Sequence, residues 1–167
     1  MSFADTLLPE FDNEMKITRS LLENVPFDHL GTKPGQMSRT LIELASHIAN
    51  ITRFGTLIAG SDEVDFAKSG RPPATYANAE EMLGVFDTNV KASRAAIQGV
   101  DESKLGDTWT LRSGDHVIMA MPRAAAFRGL LMSHVIHHRG QLSAYFRLND
   151  VPHPPIYGPT AEMMPPK

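Results

Sequence analysis

The segment PRAAAFRGLLMSHVIHHRGQLSAYFRLN, residues 122–149, decides the fold of this chain because it predicts one long helix with an unusual inner face. Pro122 suits the first turn of a helix, where its missing N–H leaves no hydrogen bond unmade. One stripe at helical spacing begins apolar and becomes polar along the segment, and it consists of Phe127, Leu131, His134, His138, Gln141 and Tyr145. A stripe that faces the core of a helical protein is normally apolar, so the two histidines need an explanation.

His134 and His138 are four residues apart in this predicted helix. At about 100° per residue, their rings lie about 40° apart around the axis and one turn apart along it. Two imidazoles in this arrangement can share a metal ion, as helical histidine pairs of zinc enzymes do. The pair taken alone is equally compatible with a packed, metal-free arrangement. His137 lies about 100° around the helix from His138, so we expect it at the rim, partly exposed, and not as a ligand.

Apolar residues at helical spacing predict three further helices upstream, at about residues 3–25, 38–60 and 78–99. We expect Ser38 to be the N-cap of the second helix and Asn78 that of the third. Residues 106–121 change period and predict a short hairpin or irregular excursion, and residues 151–167 form a proline-rich tail. Four helices without a series of strands predict an all-α four-helix bundle, formed as a single domain by residues 1–167.

His47 is a second polar residue on an apolar stripe, this time in the most hydrophobic helix. A buried imidazole needs partners for both ring nitrogens, and by itself His47 is best interpreted as a hydrogen-bonded core histidine. Together with His134 and His138 it forms a set of three nitrogen ligands from two facing helices, which predicts a metal site with room for water.

Four nearby residues are candidates to support this site. Gln141 and Tyr145 follow His138 on its stripe, and we expect them to orient a bound water or substrate. Glu43 and Asn50 flank His47 and are candidates to fix its tautomer. The alternative for each of the four is an ordinary surface or packing role.

The composition sets no cysteine against seven histidines in 167 residues. The chain therefore holds no disulfide, no thiolate nucleophile, no zinc ribbon and no iron–sulfur cluster of its own. A net charge of −3 without a basic stripe argues against a nucleic-acid partner. No signal-like start and no apolar run of about 20 residues is found, so we expect a cytoplasmic protein without a membrane partner. His29, His116 and His153 fall outside the predicted helices and are expected to be solvated or locally hydrogen-bonded.

Two segments closely resemble the DinB-like family: MPRAAAFRGLLMSHVIHHRGQLSAYFRLNDVPHPPIYGPTAE at residues 121–162 and SRTLIELASHIAN at residues 38–50. The resemblance implies a four-helix bundle that holds one divalent metal ion through one histidine of the second helix and two of the last. Carried over by motif, these ligands are His47, His134 and His138. The family resemblance also implies a homodimer.

The resemblance is less specific about activity, because some relatives are thiol-dependent transferases or isomerases and others have been proposed as hydrolases. We expect a metal-dependent enzyme that activates water or a low-molecular-weight thiol cosubstrate and acts on a small molecule. Zinc or nickel is the favoured ion, with iron or manganese as alternatives. A hydrolase, a non-catalytic small-molecule binding protein and a structural metal site are the other hypotheses. The last is disfavoured because a structural zinc site normally takes four protein ligands.

Overall fold

Six α-helical segments carry most of the fold in the computed structural model, which describes residues 1–70 and 72–165. Their bounds are Phe3–Glu23 (α1), Leu41–Ile51 (α2), Phe54–Gly60 (α3), Ala79–Gln98 (α4), Arg123–Ala126 (α5) and His134–Leu148 (α6). A π-helical segment, Phe127–Ser133, joins α5 to α6, and the three together form the predicted last helix. Within the described residues, no helix has the length and apolar content needed to cross a membrane.

The helices pack as a bundle in which α1 and α2 occupy opposite corners. Both α1 and α2 pack against α4 and against α6. The interior between them is filled by apolar side chains with at most 2% of their surface exposed, including Phe11, Leu44, Ile48, Phe86 and Phe146. The predicted helical bundle is therefore confirmed, and its packing places the histidine of α2 next to those of α6.

A small sheet corrects the strict all-α prediction. Its strands are Glu63–Asp65 (β1), Thr108–Ser113 (β2) and His116–Pro122 (β3), in the order β1-β2-β3. The antiparallel pair of β2 and β3 is the hairpin expected over residues 106–121, with Gly114 in its turn at φ +59°. β1 pairs with β2 in parallel, and it was not predicted because three residues are too few to show an alternating pattern.

The second helix differs from its prediction at its start and in its middle, although its last segment ends at Gly60 as expected. It begins after Thr40 instead of Ser38, because the Thr40 hydroxyl accepts a hydrogen bond from Glu43 N while the Glu43 carboxylate accepts one from Thr40 N at 2.7 Å. It is also interrupted before α3, where the hydroxyl of Ser93 on α4 donates to the Thr52 carbonyl at 2.5 Å. Gly55 allows this close approach, since a Cβ there would lie 2.4 Å from that of Ser93.

The π-helical segment Phe127–Ser133 was not predicted from the sequence, which indicated one regular helix here. Its residues Phe127, Leu131 and Met132 are fully buried, and it ends directly before His134. Hydrogen bonding from i to i+5 widens the helix and changes the direction of the side chains that follow. Such segments occur frequently at functional sites, and here the segment sets the position of the first histidine of α6.

Candidate metal centre

Three histidine rings meet where α2 packs against α6. The ring centroids of His47 and His134 are 5.3 Å apart, those of His47 and His138 4.7 Å, and those of His134 and His138 4.8 Å. One nitrogen from each ring lies within 4.8 Å of one nitrogen from each of the others, and all three side chains are half-buried. The structure thus brings together the three residues that the sequence selected as ligands.

The three rings are neutral at pH 7 because burial disfavours their protonated forms. Burial lowers the pKa of His47 to about 3, with a smaller contribution from the positive charge of Arg39. Burial also lowers the pKa of His134 to about 4, and it lowers that of His138 despite the opposing hydrogen bond to Gln141. A neutral imidazole offers a lone pair, which is the form that binds a metal ion.

The Nδ1 atoms of the two α6 histidines, His134 and His138, differ in their hydrogen bonding. His138 Nδ1 lies 2.6 Å from Gln141 Oε1, so Nδ1 carries the proton and Nε2 is left with its lone pair. His134 Nδ1 is buried and has no hydrogen bond of ordinary geometry, although the Leu130 carbonyl opposes the decrease in its pKa. Three neutral imidazoles with lone pairs to spare fit a divalent cation, and this donor set suits zinc, nickel, iron and copper alike.

The other predicted supporting residues have contacts away from the histidine rings. The Tyr145 hydroxyl donates to the Arg39 carbonyl at 2.8 Å and so fixes the backbone there. The Asn50 amide donates to the Pro73 carbonyl at 3.0 Å and accepts from the Tyr76 hydroxyl at 2.6 Å, which fastens the loop before α4 to α2.

The expected contact of Glu43 and Asn50 with His47 is not seen among the described hydrogen bonds. Glu43 instead completes the N-terminal cap of α2, and this cap lowers the pKa of its carboxyl group. Among the described hydrogen bonds, Gln141 is the one of the four supporting candidates whose side chain is bonded to a histidine of the site.

The remaining histidines lie outside the cluster, as expected. His137 is exposed, and its ring contacts that of His138 from the side at 4.9 Å. His29 and His116 are exposed on the surface. His153 Nδ1 donates to the Pro154 carbonyl at 2.8 Å.

Two cavities flank the histidine cluster. One has a volume of about 450 Å³, and its walls include Arg39, His47, Arg53 and Phe54. The other has about 360 Å³ and is lined on one side by His138, Gln141 and Tyr145, with Arg39 again contributing. Small molecules can therefore approach the histidines from two directions. Arg39 and Arg53 were not predicted as site residues, because single residues on different segments form no local pattern.

Comparison with known proteins agrees with this architecture. The model of the DinB family matches residues 1–167. The uncharacterized protein YjoA of Bacillus subtilis is 26% identical over 151 residues, which cover 88% of this chain and 91% of that protein. The crystal structure of that DinB-like protein superposes with a TM-score of 0.67 at 22% identity, covering 90% of this chain and 96% of the other. A DinB-like protein from Bacillus cereus gives a TM-score of 0.64 at 21% identity, with 90% and 95% covered.

Proposed function

The chain belongs to the DinB family, and we propose that it is a metal-dependent enzyme that acts on a small molecule. His47, His134 and His138 would hold one divalent ion, zinc or nickel in the first place and iron or manganese as alternatives. The cosubstrate is water or a low-molecular-weight thiol. A thiol would have to come from outside, because the chain has no cysteine.

The observation that carries this proposal is the number of ligands in the cluster. Among the described histidines, aspartates and glutamates, the group that shares one centre has three members. A structural zinc site closes its coordination with four protein ligands, whereas a catalytic site keeps a position for water or substrate. Three imidazoles between two cavities support the second kind of site.

A divalent ion at this position would lower the pKa of a bound water or thiol toward neutrality and so favour the nucleophilic form. The chain's own residues supply orientation and charge. Gln141 fixes the ring of His138, and the Arg39 side chain brings a positive charge to both cavities. A positive charge close to the site favours the anionic form of an incoming thiol over its neutral form.

The test is metal-dependent conjugation of a chlorodinitrobenzene electrophile to cysteine, glutathione and 2-mercaptoethanol, with protein freed of any histidine tag. We expect one equivalent of metal per chain and turnover with at least one thiol. The variant H134A should lose both the metal and the turnover. The matched variant H116A, which changes an exposed histidine on β3, should keep both.

A non-catalytic binding protein is the second candidate, since the same cavities can hold a ligand without turnover. Retention of metal without conjugation, and without hydrolysis of a panel of esters and amides, would favour this binding role. Failure of the native protein to retain any divalent metal would contradict both candidates.

We also propose that the protein is a homodimer, which its resemblance to the family implies, and that it is cytoplasmic. The edge strand β3 presents Val117 and Ile118 with 50% and 43% of their surface exposed, which is a candidate contact. Light scattering should give twice the mass of the chain, and V117K with I118K should lower it. A monomeric wild-type mass would contradict the proposal.

A further inference from the structure

The arginines of this chain fall into two classes. Of the nine that the structure describes, seven lie within 4.0 Å of a carboxylate: Arg19, Arg94, Arg112, Arg123, Arg128, Arg139 and Arg147. Within the described residues, the guanidinium groups of Arg39 and Arg53 take part in neither an ion pair nor a hydrogen bond. Both of these arginines line the same cavity, the one that also contains His47.

The environment of Arg53 makes its lack of a partner informative. Its side chain is half-buried, and burial lowers the pKa of its guanidinium group. A partly buried charge without a partner costs free energy, because water solvates it incompletely. An anion that enters the cavity would regain that free energy through charge-assisted hydrogen bonds.

The carboxylate of Glu43 also lines this cavity, and it offsets part of the charge of Arg39 without forming an ion pair with it. One of its oxygens accepts the hydrogen bond from Thr40 N that caps α2. Neither Arg39 nor Arg53 lies within ion-pair distance of it in the described part of the chain. The cavity therefore keeps an excess of positive charge.

The rest of the wall is apolar. Phe54, Phe66, Pro72 and Pro73 contribute to the lining, and the hydrogen bond from Asn50 to the Pro73 carbonyl holds the proline segment in place. A volume of about 450 Å³ is sufficient for a small organic molecule. The arrangement combines two cationic hydrogen-bond donors, an apolar wall and a histidine of the candidate metal centre.

We propose that this cavity binds a small organic anion, with a carboxylate held by Arg39 and Arg53 and an apolar part held against Phe54 and Phe66. The inference builds on the proposed function, because the bound molecule would be the substrate or cosubstrate that reaches the three histidines. It narrows the substrate class to carboxylates and predicts that neutral analogues bind poorly.

The test compares phenylacetate with phenylacetamide, which share size and shape and differ in charge. Isothermal titration calorimetry is carried out on zinc-loaded and on metal-free protein, with inorganic phosphate as a third probe. We expect phenylacetate to bind at least about tenfold more tightly than the amide in both forms, because its carboxylate accepts charge-assisted hydrogen bonds that are stronger than those of a neutral amide. R39Q and R53Q should each abolish this preference, while R147Q, which removes an exposed arginine from its pair with Glu162, should keep it.

The outcomes separate this inference from the proposed function. Equal binding of the two probes, or no binding of either at millimolar concentration, would overturn the inference even if zinc is retained. A preference that persists in both R39Q and R53Q would also overturn it. If phosphate binds more tightly than phenylacetate, the carboxylate assignment is overturned, and the cavity is a site for a phosphate group instead. Loss of zinc binding in the wild type would instead count against the proposed function, while the metal-free titration still decides the inference.

Discussion

On one face of α6 the guanidinium of Arg139 is buried among partners, whereas on another face the rings of His134 and His138 are half-buried with nitrogens to spare. Arg139 Nη2 lies 2.5 Å from the Glu14 carboxylate, and Nη1 donates to the Glu14 carbonyl at 3.1 Å and to the Thr18 hydroxyl at 3.2 Å. This face is a nearly satisfied polar cluster, with Nε as the one orphaned atom of the guanidinium.

The Arg139 cluster also fastens the tail. The Tyr157 hydroxyl donates to the Glu14 carboxylate at 2.8 Å and accepts a hydrogen bond from Arg139, whose guanidinium carbon lies 5.0 Å from the tyrosine ring centre. Among the described residues, the histidine face has no such set of partners, and it borders two cavities. The difference teaches that one face of α6 pairs its charged group with partners from α1 and the tail, whereas the other face keeps ring nitrogens available for a ligand.

The largest effect should come from Arg139. In R139L the Glu14 carboxylate stays buried without its cation, so we expect the free energy of unfolding of the metal-free protein to fall by about 3–5 kcal/mol. Urea denaturation measures this change. R147Q, which breaks the exposed pair with Glu162, should cost at most about 1 kcal/mol. Similar losses in both variants would remove the contrast between a structural cluster and an ordinary surface pair.

His134 should behave in the opposite way. We expect H134Q to change the stability of the metal-free protein by less than about 1 kcal/mol, because the ring has few partners to lose. It should abolish the stabilisation that added zinc gives the wild type, which is about 2.7 kcal/mol at 100 times the dissociation constant. Denaturation with and without zinc measures both quantities, and H116Q is the matched control. A large loss without metal would identify His134 as a structural residue.

Replacing Gln141 should lower the affinity for the metal ion without destabilising the fold. In Q141L the Nδ1 of His138 loses its acceptor, so we expect the zinc affinity to fall by about tenfold. Competition with a chelating dye measures it. S143A, which removes a hydroxyl that donates to the Gly140 carbonyl on the same helix, should leave the affinity unchanged. An unchanged affinity in Q141L would mean that Gln141 does not orient the ring.

The last effect is a pH dependence of the stability of the metal-free protein. Burial lowers the pKa of His47 to about 3 and that of His134 to about 4 in the folded protein. In the unfolded chain both rings bind a proton near pH 6.5, so the unfolded state holds more protons than the folded state between these pH values. Stability should therefore fall as the pH decreases from 7 to 4, and the partial exposure of both rings makes this fall smaller than for fully buried groups.

This pH effect is measured as the difference between the wild type and H47Q with H134Q, because carboxyl groups contribute to both. The double variant should show a flatter profile over the same range. Parallel profiles would show that the two rings are not held neutral by burial.

Much of the fold and the cluster could be predicted from the sequence because both depend on local spacing. The i, i+4 pair of His134 and His138 and the position of His47 on an apolar stripe each follow from helical geometry. That they meet in space follows from the packing of α2 against α6, which only the bundle interpretation and the family resemblance supplied.

The features that were missed depend on contacts between distant segments. The interruption at Thr52 results from a hydrogen bond with Ser93, and β1 exists because β2 lies beside it. The π-helical segment before His134 has no marker in its own residues. That Arg39 and Arg53 have no ion-pair partner in the described part of the chain is likewise a property of the folded state, since sequence alone does not show where the carboxylates lie.

Metal analysis with X-ray absorption on native, tag-free protein tests the central claim most directly. We predict one divalent ion per chain, with three imidazole nitrogens in its coordination sphere and at least one further ligand that is not from the protein. The ion should be absent from H134A and present in H116A. Protein without stoichiometric metal, or metal that stays bound after His47, His134 and His138 are all replaced, would contradict the claim.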